Sequence, residues 1–311
     1  MLKEKGYSLR GIAKALGRSV SSISDELKRN VVDREYDAKK ANHKAYVRRK
    51  ESKYQGMKVV SDDVLRKFVE EKLFDDQSPS AIAGRITTQE SFGSSISKNS
   101  IYRYIKSVHG RKIEVYRQKK KQRRRKRIVI HPRLLDRIFI DKRPIYINMR
   151  KRFGDMEADF VVSGKGGSGI LLVVVDRKSR MVFLKLLLIV KIESVHDALL
   201  AIQKKYPLMK SITLDNDILF RKHKELKSLL GVPLYFCHPY HSWEKGTVEN
   251  ANKYIRRDIP KGRDLSKYTD EYIQLLEDKL NRRSMKCLNY KTPTELLNEY
   301  LKQKNSLGGK L

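Results

Sequence analysis

Three carboxylates in the second half of the chain have side chains and settings suited to binding metal ions. In the predicted strand DMEADFVVSG, alternation places Glu157 and Asp159 on one face. Asp215 ends a later predicted strand, SITLDN, and Glu249 lies in GTVEN, where a helix is expected to begin around residues 244–248. Such a helix could aim Glu249 across at Asp159 and Asp215.

These residue types indicate a particular chemistry. Converging carboxylates repel each other unless cations neutralise them, and ligation by oxygen alone suits Mg²⁺ or Mn²⁺. Two such ions ~3.5–4 Å apart can activate an attacking oxygen and stabilise the leaving oxygen of a phosphodiester. Because the chain has 36 acidic residues, some Asp, Asp, Glu set at almost any spacing occurs by chance, so the context must decide.

The elements around these carboxylates predict an α/β domain with a mixed sheet. Three consecutive strands are expected in DMEADFVVSG, ILLVVVDRKSR and MVFLKLLLIV, which implies an antiparallel meander. Helices then alternate with the strands SITLDN and VPLYFC. A carboxylate at a strand end, beside the sheet, is where open α/β sheets place their sites.

A helix-turn-helix is predicted near the start, in SLRGIAKALGRSVSSISDELKRN. Apolar residues recur at helical spacing on either side of Gly17, which ends the first helix, and Ser19 can cap the second. The second helix of such a pair enters the major groove of DNA, although an ordinary helical hairpin is the alternative. The residues expected to contact DNA are Arg18, Ser21, Ser22, Asp25, Lys28 and Arg29.

A second helical pair is predicted at 78–106, where Ser78 and Pro79 give an N-cap and a first helical position. Its last helix, in ISKNSIYRYIK, is expected to bury Ile101 and Ile105 and to present Lys98 and Arg103 to DNA. A small helical subdomain without DNA contact explains the same pattern equally well.

The balance of charge favours nucleic acid as the partner. Lys and Arg total 69 against 36 acidic residues, and the net charge of +33 attracts polyanions. The run RQKKKQRRRKR at 117–127 holds nine basic residues in eleven and should stay extended unless phosphates neutralise it. The three arginines in its centre are further expected DNA contacts: Arg123, Arg124 and Arg125.

These patterns together predict a multi-domain chain with an all-α N-terminal region and a mixed-sheet α/β domain. The predicted parts are a helix-turn-helix domain with a basic helix, a second helix-turn-helix-like region, a basic linker and a catalytic domain, at 1–58, 59–110, 111–150 and 151–311.

Several other function classes find no support. Two cysteines are too few for a disulfide framework, and MLKEKGYSLRG lacks an apolar core with a cleavage site, so we expect a cytoplasmic protein without membrane spans. No GxxxxGK[ST] loop occurs, so no nucleotide cofactor is expected. Cys237, His238 and His241 match no zinc-finger spacing, and Trp243 is expected to pack its loop rather than stack on a base.

Five segments, in this order, resemble the insertion-sequence-thirty family of bacterial transposases: GDMEADFVV, VVVDRKSR, ITLDND, HPYHSWEKGTVEN and NRRSMKCLNYKTPTELL. The resemblance also covers IAKALGRSVSSISDELKRN, SPSAIAGRI and IYRYIK. It implies a retroviral-integrase-like, RNase-H-like core in which Asp159, Asp215 and Glu249 are the catalytic, metal-binding carboxylates. Asn216, Gly246, Asn250 and Lys253 are then companions of the site, and Lys253 is an expected DNA contact.

The chain departs from the family pattern beside the second carboxylate. Met156 replaces the usual Trp, and DNDILF replaces DNGxEF, so that Asp217 stands for Gly and Leu219 for Glu. Asp217 is expected to add negative charge near the metals and to lose the backbone freedom of glycine.

The resemblance implies a DNA transposase that binds the terminal inverted repeats of an insertion element. Cleavage and strand transfer would use Mg²⁺ or Mn²⁺, with two ions expected, and the protein would assemble as a homo-oligomer on paired ends in the bacterial nucleoid. The alternative is a catalytically weakened, transposase-derived DNA-binding regulator.

Overall fold

The computed structural model shows the predicted helix pair at the start of the chain, as α1 (Leu9–Leu16) and α2 (Val20–Asn30). Gly17 ends α1 with φ 59°, a left-handed conformation that glycine adopts without strain. The Ser19 hydroxyl accepts a hydrogen bond from the Ser22 amide at 3.1 Å, which caps α2 as predicted.

The structure describes residues 2, 5–32, 35–52, 58–93, 95–110, 112–113, 136–239 and 241–308. The expected contacts Arg123, Arg124 and Arg125 lie outside these residues. The chain divides into two compact units, Met1–Arg66 and Lys67–Leu311, and residues of each unit contact mainly other residues of the same unit. After α2, the first unit contains a short antiparallel hairpin, the predicted basic helix and one further turn of helix, as β1 (Val31–Val32), β2 (Glu35–Tyr36), α3 (Ala38–Ser52) and α4 (Lys58–Ser61).

The second helical pair belongs to the second unit. Here α5 (Asp63–Phe74), which crosses the division, is followed by α6 (Pro79–Thr88) and α7 (Lys98–Lys106). The Ser78 cap and the burial of Ile101 and Ile105 are as predicted.

This pair packs against the C-terminal part of the same unit. Arg85 donates two hydrogen bonds to Glu295, at 2.9 and 2.7 Å, and lowers the pKa of Glu295 to about 2. Gly84 lies against the Tyr290 ring, where a β-carbon would approach to 2.0 Å. Residues 67–110, part of a region that the sequence prediction kept separate, thus belong to the same unit as the sheet.

A five-stranded mixed sheet forms the centre of the second unit, in the order β5-β4-β3-β6-β7. The first three strands pair antiparallel, as the predicted meander requires, while β3, β6 and β7 run parallel. Their bounds are β3 (Asp155–Val162), β4 (Ile170–Asp176), β5 (Val182–Leu187), β6 (Ser211–Leu214) and β7 (Leu234–Phe236). This order is the RNase-H-like arrangement that was expected.

Helices cover both faces of the sheet, because β3 and β4 alternate apolar side chains between two cores. Met156 and Ala158 face α9 (Ile192–Lys205) and α10 (His223–Leu230). Val161 faces α11 (Gly246–Asp258) and α12 (Asp270–Asn281). Met156, where the family usually has Trp, is fully buried on the face opposite to Asp159.

Two further helices complete the described unit, α8 (Ile145–Asn148) and α13 (Pro293–Gly308). Residues 136–150, placed in the basic linker by the sequence, contact the sheet: Arg143 donates to the Thr213 hydroxyl at 2.9 Å, and the Phe236 amide donates to the Ile138 carbonyl at 2.8 Å. Among the described residues, no helix has the length and apolar character needed to cross a membrane.

Candidate active site

Asp159 and Asp215 meet because their strands are neighbours in parallel register. Glu157 of β3 pairs with Thr213 of β6, and the same register, continued by two residues, sets Asp159 opposite Asp215. Residues paired in this way point to the same side of a sheet. The structure therefore brings together two of the three predicted carboxylates, on the face that α11 covers.

A buried lysine ammonium lies between these two carboxylates. The Nζ atom of Lys245 is 3.0 Å from Oδ1 of Asp159 and 2.9 Å from Oδ2 of Asp215. Lys245 is only 7% exposed, and its ammonium also donates to the Ala158 carbonyl at 3.2 Å. The sequence analysis assigned no role to this lysine.

Burial and charge act against each other in this group. Burial raises the pKa of Asp159, with Asp215 adding to the shift and Lys245 opposing it. Burial alone would lower the pKa of Lys245, but the attraction of Asp215 and Asp159 outweighs it and raises that pKa. The ammonium of Lys245 therefore supplies a positive charge that reduces the repulsion between the two carboxylates.

The carboxylate of Glu157 sets the start of α11. Its Oε2 atom accepts hydrogen bonds from the amides of Thr247 and Val248, at 2.9 and 3.0 Å. These amides belong to the first turn of α11, so a buried negative charge from a neighbouring strand satisfies free donors at the positive end of the helix. The other oxygen, Oε1, lies 3.5 Å from Nη1 of Arg177. Glu157 thereby fixes the helix that carries Glu249.

We expect Glu157→Gln to destabilise the protein by roughly 2 kcal/mol, because an amide oxygen still accepts from α11 but the buried Arg177 loses its counter-charge. Arg177 is 4% exposed, and its Nε and Nη1 atoms have no other hydrogen-bond partner among the described residues. Urea unfolding of the full chain measures the change. Glu193→Gln, which breaks the exposed ion pair with Lys222, is the control and should leave the midpoint in place. An unchanged midpoint for Glu157→Gln would contradict this role.

Glu249 lies on α11, one turn after Lys245. Its carboxylate is half exposed and pairs with Lys253 at 3.1 Å, rather than meeting the strand carboxylates directly. Three residues further along α11, Asn252 donates to Oδ2 of Asp159 at 2.7 Å. Helical spacing therefore keeps Glu249 at the edge of the face that looks at Asp159.

The donor set fits a divalent metal. Asp159 and Asp215 offer carboxylate oxygens, and the position between them already holds a cation, the ammonium of Lys245. Glu249 is not gathered with them: among the described residues, the one set of three ligand-type groups within 4.8 Å of one another is His238, His241 and Glu244. A third oxygen from Glu249 requires its exposed side chain to leave Lys253.

Asp217 does not distort the second carboxylate. Its backbone has φ −62° and ψ 147°, an extended conformation that needs no glycine. Its side chain accepts from the Leu219 amide at 2.9 Å, while its own amide donates to Oδ1 of Asp215 at 3.1 Å. Beside it, the Asn216 side chain donates to the Cys237 carbonyl and accepts from Arg137, both at 2.7 Å. Asp217 thus helps to orient Asp215.

His238, which precedes α11, lies between two carboxylates. Both ring nitrogens of His238 face carboxylates, Glu244 at 2.9 Å and Asp141 at 2.7 Å. These contacts, with Glu244 first, raise the pKa of His238. Both nitrogens of His238 therefore contact carboxylates, whereas Nδ1 of His241 is buried without a hydrogen-bond partner among the described residues. Cys237 is buried.

The expectation that Trp243 packs its loop is wrong. Trp243 is 69% exposed, and its ring makes an edge contact with His241 at a centroid distance of 4.5 Å. Loops usually run over the surface of a protein, because their backbone polar groups need water, and the indole of Trp243 is accordingly exposed to solvent.

The predicted DNA-contacting side chains of the helix-turn-helix are all exposed: Arg18, Ser21, Ser22, Asp25, Lys28 and Arg29. Lys98 and Arg103 are exposed on α7, and Lys253 is exposed on α11. Exposure leaves each of them accessible to a partner.

Comparison with known proteins decides the family. A family described as a helix-turn-helix domain matches residues 1–30. The transposase for insertion sequence element IS4351 of Bacteroides fragilis is 35% identical and covers 97% of this chain and 94% of that protein. The transposase InsI for insertion sequence element IS30A of Escherichia coli strain K12 is 36% identical and covers 93% of this chain and 78% of that protein. The chain belongs to the insertion-sequence-thirty family of transposases.

Membership of the insertion-sequence-thirty family confirms the resemblance seen in the sequence, and the match to residues 1–30 favours the helix-turn-helix over an ordinary helical hairpin. Among solved structures, the catalytic core domain of BIV integrase matches with a TM-score of 0.39 and 20% identity, covering 49% of this chain and 98% of that chain. The RNase-H-like assignment of this transposase rests on its own strand order.

Proposed function

We propose that this chain is a DNA transposase that binds the terminal inverted repeats of its own element and catalyses divalent-metal-dependent cleavage and strand transfer. The observation that carries the proposal is the meeting of Asp159 and Asp215 around one buried cation, the ammonium of Lys245. A structural protein would have little reason to hold two partly buried carboxylates side by side, since like charges repel and desolvation is costly. Membership of a transposase family supports the same conclusion.

Asp159, Asp215 and Glu249 are the proposed ligands of Mg²⁺ or Mn²⁺, with two ions expected. When bound, the ions supply an activated oxygen nucleophile and a stabilised leaving oxygen. The chain's own residues position the ligands: Asn252 holds Asp159, and the Asp217 amide holds Asp215.

Binding of DNA is proposed for both units. Residues 1–30 would read the inverted repeat, with α2 in the major groove. Basic side chains of the second unit, including Lys98, Arg103 and Lys253, would contact phosphates near the site. The protein would work as a homo-oligomer on paired ends, on the bacterial chromosome in the cytoplasm.

A matched pair of substitutions tests the catalytic proposal. Asp215→Asn removes a proposed metal ligand, whereas Asp217→Asn, two residues away, alters a side chain that caps the turn Ile218–Phe220. We expect Asp215→Asn to reduce nicking of a supercoiled plasmid in Mg²⁺ to background and Asp217→Asn to retain it. The plasmid carries the DNA that flanks the gene on both sides, so that the element ends are present.

The outcomes separate the two candidate functions. Equal nicking by the unsubstituted chain and Asp215→Asn would exclude this carboxylate from catalysis. A chain that binds the flanking DNA specifically but nicks it in neither Mg²⁺ nor Mn²⁺ would be the DNA-binding regulator instead. Competition with unrelated DNA measures that specificity.

A further inference from the structure

A cavity of about 430 Å³ opens beside Glu249, within the second unit. One wall is α11. The other walls are the ends of β4 and β5 with the turn between them, Arg150 before β3, and the end of α12 with the chain that follows it. Its volume lies in the range of sites for small organic groups. The polar and aromatic side chains on its walls include Arg150, Arg180, Arg283, Lys253, Trp243 and Tyr254.

Three arginines give this cavity much of its positive charge. Within the part of the chain that the structure describes, Arg150, Arg180 and Arg283 form no ion pair with a carboxylate within 4.0 Å. Arg180 donates to the Thr247 hydroxyl at 2.9 Å, and its Nε atom and that of Arg283 are buried without a partner among the same residues. Buried unsatisfied donors are costly, so Arg180 and Arg283 favour an anion in the cavity, and the exposed Arg150 adds positive charge.

Two of these arginines also occupy unfavourable backbone conformations. Arg150 has φ 56° and Arg180 has φ 63°, in the left-handed region where a side chain is rarely tolerated. Such conformations persist where the surrounding structure fixes them, and they concentrate at binding and catalytic sites. Here both aim arginine side chains into one cavity.

Aromatic rings complete the walls. Trp243 is 69% exposed, and Tyr254 stacks under the Arg283 guanidinium at 3.2 Å from its ring centroid. Arginines beside an exposed aromatic ring such as Trp243 are typical of surfaces that bind nucleic acid strands, since arginines contact phosphates and rings stack on bases of any sequence.

The cavity adjoins the carboxylate site through α11. Lys245 and Asn252 face the carboxylate pair, whereas Asn250 and Lys253 line the cavity. Glu249 also lines the cavity and lies one turn after Lys245. Residues of one helix therefore both line the cavity and face the carboxylates.

We propose that this cavity binds one nucleotide of the DNA strand that enters the active site, with its phosphate on Arg150 and Arg180 and its base against Trp243. The inference rests on the proposed function, and it assigns a place to the nucleotide next to the phosphodiester that reacts. An acidic protein segment, which arginines also attract, would leave the exposed indole without a stacking partner.

The single tryptophan of the chain makes this site directly observable, because all indole fluorescence comes from Trp243. The full chain is titrated in EDTA with single-stranded hexathymidylate and, separately, with an abasic hexamer of the same backbone. We expect saturable quenching by hexathymidylate and little quenching by the abasic strand, since stacking needs a base. Fluorescence anisotropy of labelled strands confirms that both bind.

Substitutions in the cavity should weaken the quenching. We expect Arg180→Ala to raise the hexathymidylate concentration at half quenching roughly tenfold, because a phosphate contact is lost. Arg180→Gly, which relaxes the left-handed backbone, should weaken it equally. Lys204→Ala, an exposed basic residue on α9 outside the cavity walls, is the matched control and should match the unsubstituted chain.

Each contrary result overturns the inference. Hexaglutamate is titrated as well, to represent an acidic protein segment. The inference is overturned if the abasic strand or hexaglutamate quenches as strongly as hexathymidylate, or if Arg180→Ala leaves the quenching unchanged. It is also overturned if the quenching is lost in Arg180→Ala but kept in Arg180→Gly. Because the titration contains no metal, it does not depend on plasmid nicking. Quenching without nicking would sink the proposed function alone, and nicking without quenching would sink the nucleotide site alone.

Discussion

Glutamine in place of Glu249 is expected to reduce strand transfer in Mg²⁺ by at least ~1000-fold while specific binding to the element ends is retained. Glutamine keeps the shape of the side chain but removes the charge that binds a metal ion. The helix itself should persist, because its start is fixed by Glu157 and its apolar face by Val248, Ala251 and Ile255. Joining of labelled ends with a free 3′-hydroxyl to target plasmid measures the reaction.

A second carboxylate on the same helix provides the control. Asp258 lies at the end of α11 and pairs with Lys279 at 2.8 Å, away from the strand carboxylates. Asp258→Asn should therefore leave strand transfer within a few-fold of the unsubstituted chain. Strand transfer that survives Glu249→Gln would remove Glu249 from the proposed set and leave Asp159 and Asp215 as its members.

Local patterns were sufficient to predict the elements that carry the site. Period-two alternation in DMEADFVV put Glu157 and Asp159 on one face, and the structure shows both contacting α11. The cap residues Ser19 and Ser78 marked helix starts, because a hydroxyl that bonds a free amide is a local signal. The meander was predictable because its turns are short.

Contacts between distant parts of the sequence could not be predicted in this way. Lys245 contacts Asp159 across 86 positions, and Glu157 contacts Thr247 across 90. Nothing within a few residues of either partner encodes such a pairing, since periodicity reports only which face a side chain occupies. Alternation alone therefore did not reveal that Glu157 holds the helix of Glu249.

The boundaries of the parts were obscured for a related reason. High positive charge grouped residues 136–150 with the run at 117–127, but Arg143 bonds Thr213 within the sheet. The helices of 59–110 looked independent, yet Arg85 pairs with Glu295 at the far end of the chain. The composition of a segment indicates how it interacts with water and ions, but it does not indicate which other part of the protein the segment packs against.

Substitution of Lys245 tests whether the folded protein needs a cation between Asp159 and Asp215. We expect Lys245→Met to lower the free energy of unfolding in EDTA by roughly 1–3 kcal/mol, because two partly buried carboxylates then lack a counter-charge. Methionine retains the apolar volume of the lysine stem, so lost packing contributes little. Thermal unfolding of the full chain in EDTA measures the effect.

Addition of Mn²⁺ should recover most of that loss. In the unsubstituted chain a metal ion must displace the ammonium from Asp159 and Asp215, whereas in Lys245→Met the carboxylates are free to bind it. Since a ligand that binds the folded state stabilises it by an amount that grows with its affinity, the midpoint of the variant should rise more with Mn²⁺ than that of the unsubstituted chain.

Two further variants show whether the gain comes from these carboxylates. Lys253→Met removes an exposed lysine from Glu249 and should change stability little in EDTA. Asp159→Asn combined with Lys245→Met leaves Asp215 as the single carboxylate of the pair, so its midpoint should respond weakly to Mn²⁺. Two results would contradict this prediction: Lys245→Met is as stable as the unsubstituted chain in EDTA, or it gains no more stability from Mn²⁺ than Lys253→Met does. In either case the ammonium of Lys245 does not occupy a metal-binding position. If instead the recovery requires Asp159, the same two carboxylates that hold the lysine also form the metal site.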